Sequence, residues 1–302
     1  MSEVVIKFGE YEASIREKGA GLNWLRHMNR NLVDPYQPMD TRFFRGDLLA
    51  PWPNRIRDGI YLVDGITYRA PINESARMTA LHGLIFDLNW KITQRTESIV
   101  KLEVELLASE AYPTSLHIEV KYSLSQAGLE ISIAASNTGA RRAPYGVSIH
   151  PYLVATPGSS VDEWSLQLPS HQVLEVDADR LLPIALKDCR ELNFDFRGGE
   201  IIGNRFIDHA FKVDLNLPRV IILKATNGHG VRMSFDETLP WIQIHTADRD
   251  GGIGSRTCLA VEPMTCPPDA FRSGEDLIWL DAGDRTQSTW KIENLEGEIN
   301  AK

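Results

Sequence analysis

The chain has few cysteines, no long apolar run and no excess of positive charge. Its three cysteines, Cys189, Cys258 and Cys266, are odd in number and not closely paired. That argues against a disulfide framework and for reduced, buried thiols. No apolar stretch approaches the roughly 20 residues that span a bilayer. The opening Met-Ser-Glu-Val-Val-Ile-Lys has neither the basic start nor the apolar stretch of a secretion signal, so a cytoplasmic protein is expected. A formal net charge of -9 argues against nucleic acid and anionic membranes as partners, since both need clustered cations. Several catalytic signatures are also missing. There is no Gly-x-Ser-x-Gly elbow, no His-Glu-x-x-His helix and no Cys-x-x-Cys. Gly251-Gly252-Ile253-Gly254-Ser255 is rich in glycine but lacks the following helix of a phosphate site, and reads as a loop near the pocket.

Helical stripes are scarce, whereas a period of two is plain. Between Ser98 and Leu107, Val100, Leu102, Val104 and Leu106 alternate with Lys101, Glu103 and Glu105. Leu116, Ile118, Val120, Tyr122 and Leu124 alternate with His117, Glu119, Lys121 and Ser123, and Leu129, Ile131 and Ile133 continue the pattern. These are strands with one apolar and one wet face, and their short links predict an antiparallel meander. Val220–Ala225 and Val231–Phe235 flank Asn227-Gly228-His229-Gly230, a hairpin signal. Trp164 to Leu168, Trp241–Thr246, Thr257–Val261 and a closing Ser288–Glu293 also read as strands. The expected fold is all-β: one large antiparallel β-sandwich domain over residues 1–302, with few short helices, since no linker marks a boundary.

Two residues stand out chemically. His150 lies in Ser148-Ile149-His150-Pro151-Tyr152, and Glu262 in Leu259-Ala260-Val261-Glu262-Pro263. Each follows an apolar run and precedes a proline, which forces extended backbone and cannot continue a central ladder. Both are expected near strand ends, where an imidazole and a carboxylate can move protons on one small molecule. The expected reactive state is an ion pair, with Glu262 ionised and His150 protonated. His82, His150 and Glu262 would in principle make three metal ligands, but acid–base use is favoured and no metal is expected.

Three further segments, Asn54-Arg55-Ile56, Leu81-His82-Gly83 and Asp208-His209-Ala210-Phe211, complete an ordered set with the His-Pro-Tyr and Glu-Pro segments. Taken together, from about Phe8 to Ile292, this set resembles the aldose 1-epimerases (galactose mutarotases). The resemblance implies the galactose mutarotase-like β-sandwich and interconversion of the α and β anomers of a free hexose, with no cofactor. It implies His150 as the catalytic histidine and Glu262 as the catalytic glutamate. It implies sugar binding by Arg55, His82 and Asp208, and it matches Gln243 in Trp241-Ile242-Gln243-Ile244-His245-Thr246 to a strand beside the site. Trp241, Phe211 or Tyr152 would offer an apolar face to the sugar, whereas His209 and His245 read as structural. The chain departs from the family where Ile149 replaces the usual asparagine before the catalytic histidine, and where Leu84-Ile85-Phe86-Asp87-Leu88-Asn89-Trp90 replaces a glycine-rich continuation. These departures bear on the choice of sugar more than on the chemistry. A hexose 6-phosphate is the close variant and would need cations such as Arg57, Arg141 or Arg142. A sugar-binding protein without turnover is the reading from another class. The expected partner is a small sugar, with the chain a monomer or homodimer.

Overall fold

A computed structural model describes residues 2–35, 43–249 and 254–297 of the chain. Strands and turns dominate them, and the longest helix is the four-residue Ala270–Ser273. The alternating stretch folds as its periodicity demands. Ile99–Leu106 pairs antiparallel with Leu116–Ser125, and that strand pairs with Gly128–Asn137. Their apolar residues are buried while Lys101, Glu105 and Glu130 face water. The hairpin of Val220–Lys224 and Gly230–Phe235 also forms. Its turn needs the positive φ of +83° that Gly228 supplies. The closing strand, Arg285–Leu295, is longer than its apolar pattern suggested. It zips Gly128–Asn137 to Gly230–Phe235 and so unites a nine-stranded sheet.

The second, twelve-stranded sheet starts with four antiparallel strands, Glu3–Phe8, Tyr11–Arg16, Leu22–His27 and Arg30–Val33. It continues through Tyr152–Leu153, Leu259–Met264, Trp241–His245 and Asp208–Lys212 to Gln172–Val176 and Pro183–Asp188. The apolar faces of the two sheets share one core. Ile6, Ile15 and Leu25 from one belong to the same buried cluster as Val120, Ile131 and Trp290 from the other. Each such side chain contributes about 1.5–3 kcal/mol when removed from water. All three cysteines are free and buried, as their number and spacing implied.

His150 follows the short strand Ser148–Ile149, as expected of a residue before proline. Glu262, however, is not at a strand end: Leu259–Met264 runs on through Pro263. The reason lies in the neighbouring chain. On that side Val261 donates its N–H to Pro151 and Thr265 donates to Val147. Pro263 sits between those two donors, opposite the break that separates Ser148–Ile149 from Tyr152–Leu153. A missing N–H costs nothing where the ladder is already interrupted. The same break that tolerates Pro263 turns His150 out of the sheet beside Glu262.

Candidate active site

Three adjacent central strands supply one wall. Gln243 pairs directly with Glu262, and Asp208 pairs with His245, so alternation along the strands puts all four side chains on one face. His150 enters from the neighbouring break, with its Nε2 3.3 Å from Oε1 of Glu262. Arg55 and Leu81 pair across Arg55–Arg57 and Thr79–Leu81, which brings Arg55 and His82 to the same rim. Together these residues line a cavity of about 570 Å³ whose walls also include Tyr152, Phe43, Phe44 and Phe206. Thus His150, Glu262, Arg55, His82, Asp208 and Gln243, scattered over more than 200 positions of sequence, converge on one hollow.

The turn that presents His82 depends on its backbone. His82 and Gly83 both have positive φ, +63° and +79°. A Cβ on Gly83 would lie 2.0 Å from the Ala50 carbonyl oxygen. Gly83→Ala therefore forces both strain and a backbone clash, and it is expected to cost about 2 kcal/mol or more. Thermal melting should show a drop of roughly 4 °C or more, and an unchanged melting temperature would contradict the packing described.

Trp241 lies outside the cavity, contrary to its expected binding role. It shares the face of Gln243 and His245, but its ring is covered by Leu174, Ala210 and Met264 and its Nε1 donates to Asp276. Phe211 is likewise fully buried in the main core, which leaves Tyr152, alone of the three aromatics considered, in the wall. The arginines considered for a phosphate also lie elsewhere. Arg57 faces Asp269, Arg142 pairs with Asp64, and Arg141 donates to Tyr68. His209 is structural as read, its Nδ1 accepting from the Asp208 N–H. His245, read as structural, is instead in the cavity wall with a buried Nδ1 that has no partner among the described residues. Of the glycine-rich loop, Gly251, Gly252 and Ile253 lie outside the described residues.

Glu74, Arg77, Asp248 and Arg249 line the cavity without having been singled out in the sequence. Glu74 is the hub of one side. It accepts two hydrogen bonds from Arg55, at 2.8 and 3.0 Å, and one each from Arg77 and Thr79. A bidentate carboxylate holds the guanidinium plane. Arg55 then turns Nη2 toward Asp208 at 3.5 Å, while Gln243 donates to the other Asp208 oxygen at 2.6 Å. Burial opposes a charge on Asp208, but Arg55, His245 and the Gln243 donor more than offset it, so its carboxyl stays below the usual carboxylate range.

Glu262 and His150 are placed differently. Burial and the neighbouring charge of Asp208 push the Glu262 carboxyl well above its usual range, with Arg55 only partly opposing. Burial, aided by His245, pushes the His150 imidazole down to about 3. Both shifts favour a protonated carboxyl beside a neutral imidazole over the ion pair expected from their mutual attraction. Desolvation of two opposite charges opposes that attraction. Either way the pair holds one proton.

Ligand atoms of His82, His150 and Glu262 lie within 4.8 Å of one another. His82 Nδ1 accepts the Asn54 N–H at 3.2 Å, which assigns its ring proton to Nε2. That leaves His82 a donor, better matched to a hydroxyl oxygen than to a cation. By contrast His150 Nδ1, Glu262 Oε2 and Gln243 Oε1 are buried with no partner from another residue among the described residues. Together they offer hydrogen-bonding groups that a polyol, which both donates and accepts, can satisfy. Among the described residues no helix is long and apolar enough to cross a membrane.

A family model described as Aldose 1-epimerase matches residues 2–293. The chain is 39% identical over 282 residues, 93% of itself and 89% of the other, to the Escherichia coli K12 protein named Uncharacterized protein YihR. It is 25% identical over 235 residues, 72% of itself and 67% of the other, to the aldose 1-epimerase of the same organism. The fold matches that of the GalM/aldose epimerase homologue from C. elegans with a TM-score of 0.83, at 19% identity over 98% of this chain and 100% of that one.

Proposed function

Since the chain belongs to the aldose 1-epimerase family, we propose that it interconverts the α and β anomers of a hexose or related aldose in the cytoplasm, by acid–base ring opening. The observation that carries this reading is the contact of His150 and Glu262 at 3.3 Å in one buried, polyol-matched cavity. In the forward step Glu262 takes the proton from the C1 hydroxyl as C1=O forms. The C1–O5 bond breaks and its electron pair goes to the ring oxygen, which takes a proton from His150. Rotation about C1–C2 and reclosure on the other face reverse both transfers. Each well-placed acid or base gives typically 10²–10⁴-fold acceleration, ample for a reaction that water already performs slowly. No electron or group leaves the sugar. Arg55, His82, Asp208 and Gln243 are assigned to its hydroxyls.

Turnover uses the ion-pair arrangement, so the pair's proton must move from Glu262 to His150. Their 3.3 Å separation permits direct transfer. A substrate hydroxyl donating to the carboxylate favours the ionised form. Only the total of one proton matters to the pH profile. The acid edge comes where His150 takes a second proton, near 3, and the alkaline edge where the pair loses its proton, set by the raised Glu262. The expected kcat/KM is level through pH 5 to 6 and falls on the alkaline side. A profile climbing steadily from pH 5 to pH 8 would contradict this proton inventory.

Proton NMR exchange or polarimetry with freshly dissolved α-sugars tests the activity. The panel should hold neutral and 6-phosphorylated hexoses, which separates the two substrate classes. If no aldose equilibrates faster with the protein than without it, the enzyme reading fails.

A further inference from the structure

A histidine that transfers protons is ordinarily held by a hydrogen bond at its second nitrogen. His150 Nδ1 is buried and makes no hydrogen bond to another residue among the described residues, its own main chain being the group in reach. Its main chain, by contrast, is firmly pinned. Its N–H donates to Asp47 O at 3.0 Å, its carbonyl accepts from Gly46 at 2.9 Å, and the next carbonyl, of Pro151, accepts from Val261. The remaining freedom is rotation of the ring, and the χ2 torsion of histidine is broad rather than sharply staggered. The contact of Nε2 with Glu262 Oε1 at 3.3 Å restrains one edge of the ring, and a packed surface is needed to set its plane.

Tyr152 supplies the surface. Pro151 keeps the segment extended, so residues 150 and 152 project to the same side. The Tyr152 ring stacks on the His150 ring, with centroids 5.1 Å apart and planes 20° apart. His82 meets the imidazole edge-on at 5.1 Å and 82°. Tyr152 is itself clamped. The guanidinium of Arg45 lies 4.3 Å from its centroid, within cation–π range. Arg45 is 1% exposed and anchored by Asp34 at 2.5 Å and by Cys258 Sγ at 3.3 Å. The backbone pairing of residues 46 and 47 with His150 places Arg45 there.

From this stack we infer that Tyr152 and Arg45 are positioning residues: the phenol ring fixes the plane of the His150 imidazole, and the buried guanidinium fixes the phenol. The inference rests on His150 as the proton donor for its kinetic consequence, but not for its geometric one. A proton-transfer group must be held within about 0.5 Å and 10–20° of its productive geometry. Loss of the ring surface therefore affects the chemical step first.

Two measurements test this. The first needs no substrate: the ring signals of His150 in labelled protein, identified by their loss in His150→Asn. One sharp set is expected in the wild type, broadened or multiple signals in Tyr152→Leu, and recovery in Tyr152→Phe, which keeps the ring. Arg45→Met should give partial broadening. The second is turnover of freshly dissolved α-glucose and α-galactose. Tyr152→Leu is expected to lower kcat roughly 10–100-fold while KM moves less, with Tyr152→Phe regaining most of the loss. If Arg45→Met fails to fold, the Leu/Phe comparison still decides. Equally sharp His150 signals in wild type and Tyr152→Leu would overturn the inference. If neither sugar is turned over, the NMR result stands and only the enzyme reading is affected.

Discussion

Glu262→Gln is expected to lower kcat about 10³-fold while leaving the melting temperature within about 2 °C of wild type. Both halves follow from one fact. Burial, at 1% exposure, and the neighbouring charge of Asp208 both favour the protonated carboxyl. A carboxamide is close in shape to a protonated carboxyl, so the folded state loses little. What it lacks is the ionised form that accepts the C1 proton. Stopped polarimetry gives the first number and calorimetry the second. A variant that keeps wild-type kcat would remove Glu262 from the mechanism. A variant that keeps its sugar affinity and its biological role without turnover would favour the binding-only reading.

Arg55→Met should damage both stability and binding. Arg55 is the buried cation between Glu74 and Asp208, with 8% of its side chain exposed. Its removal leaves Asp208 with the Gln243 donor and Glu74 with Arg77 and Thr79. Breaking a buried pair by deleting one partner typically costs 3–5 kcal/mol. Because Glu74 keeps two donors, about 3 kcal/mol is expected here, which is a drop of several degrees in melting temperature. The Asp208 carboxyl should then titrate higher, because its largest source of stabilisation is gone. KM should rise more than tenfold, since an aimed, charged donor to the sugar is lost. Melting curves and saturation kinetics check these outcomes. Wild-type stability would mean that Glu74 and Asp208 share no charge network through Arg55.

These two residues illustrate what was legible in the chain. Glu262 and His150 were visible because proline follows each, a local signal with a steric cause. The residues of the meander were visible because one face of Ile99–Leu106 and Leu116–Ser125 meets water, which writes a period of two. The strands from Glu3 to Val33 carry no such clean alternation. Tyr11–Arg16 is buried on both faces near its end, and register shifts at Ser14/Ile15 and Leu25/Arg26 break the period. The extent of Leu259–Met264 was misjudged because Pro263 normally ends a central strand, and only the gap in the partner chain makes it tolerable. Glu74 left no mark at all: it reaches Arg55 from a loop 19 residues away, a spacing with no local meaning. Trp241 failed for a related reason, since alternation gives the face but not what covers it. The resting proton position was equally invisible, because it depends on burial depth rather than residue identity.

The most direct test of the account is a crystal structure of the Glu262→Gln variant soaked with a sugar from the activity panel. The account predicts a pyranose in the cavity, its C1 hydroxyl within hydrogen-bond distance of the side chain at position 262, its ring oxygen facing His150 and its other hydroxyls met by Arg55, His82 and Asp208. A sugar bound with its anomeric carbon away from both position 262 and His150 would contradict it.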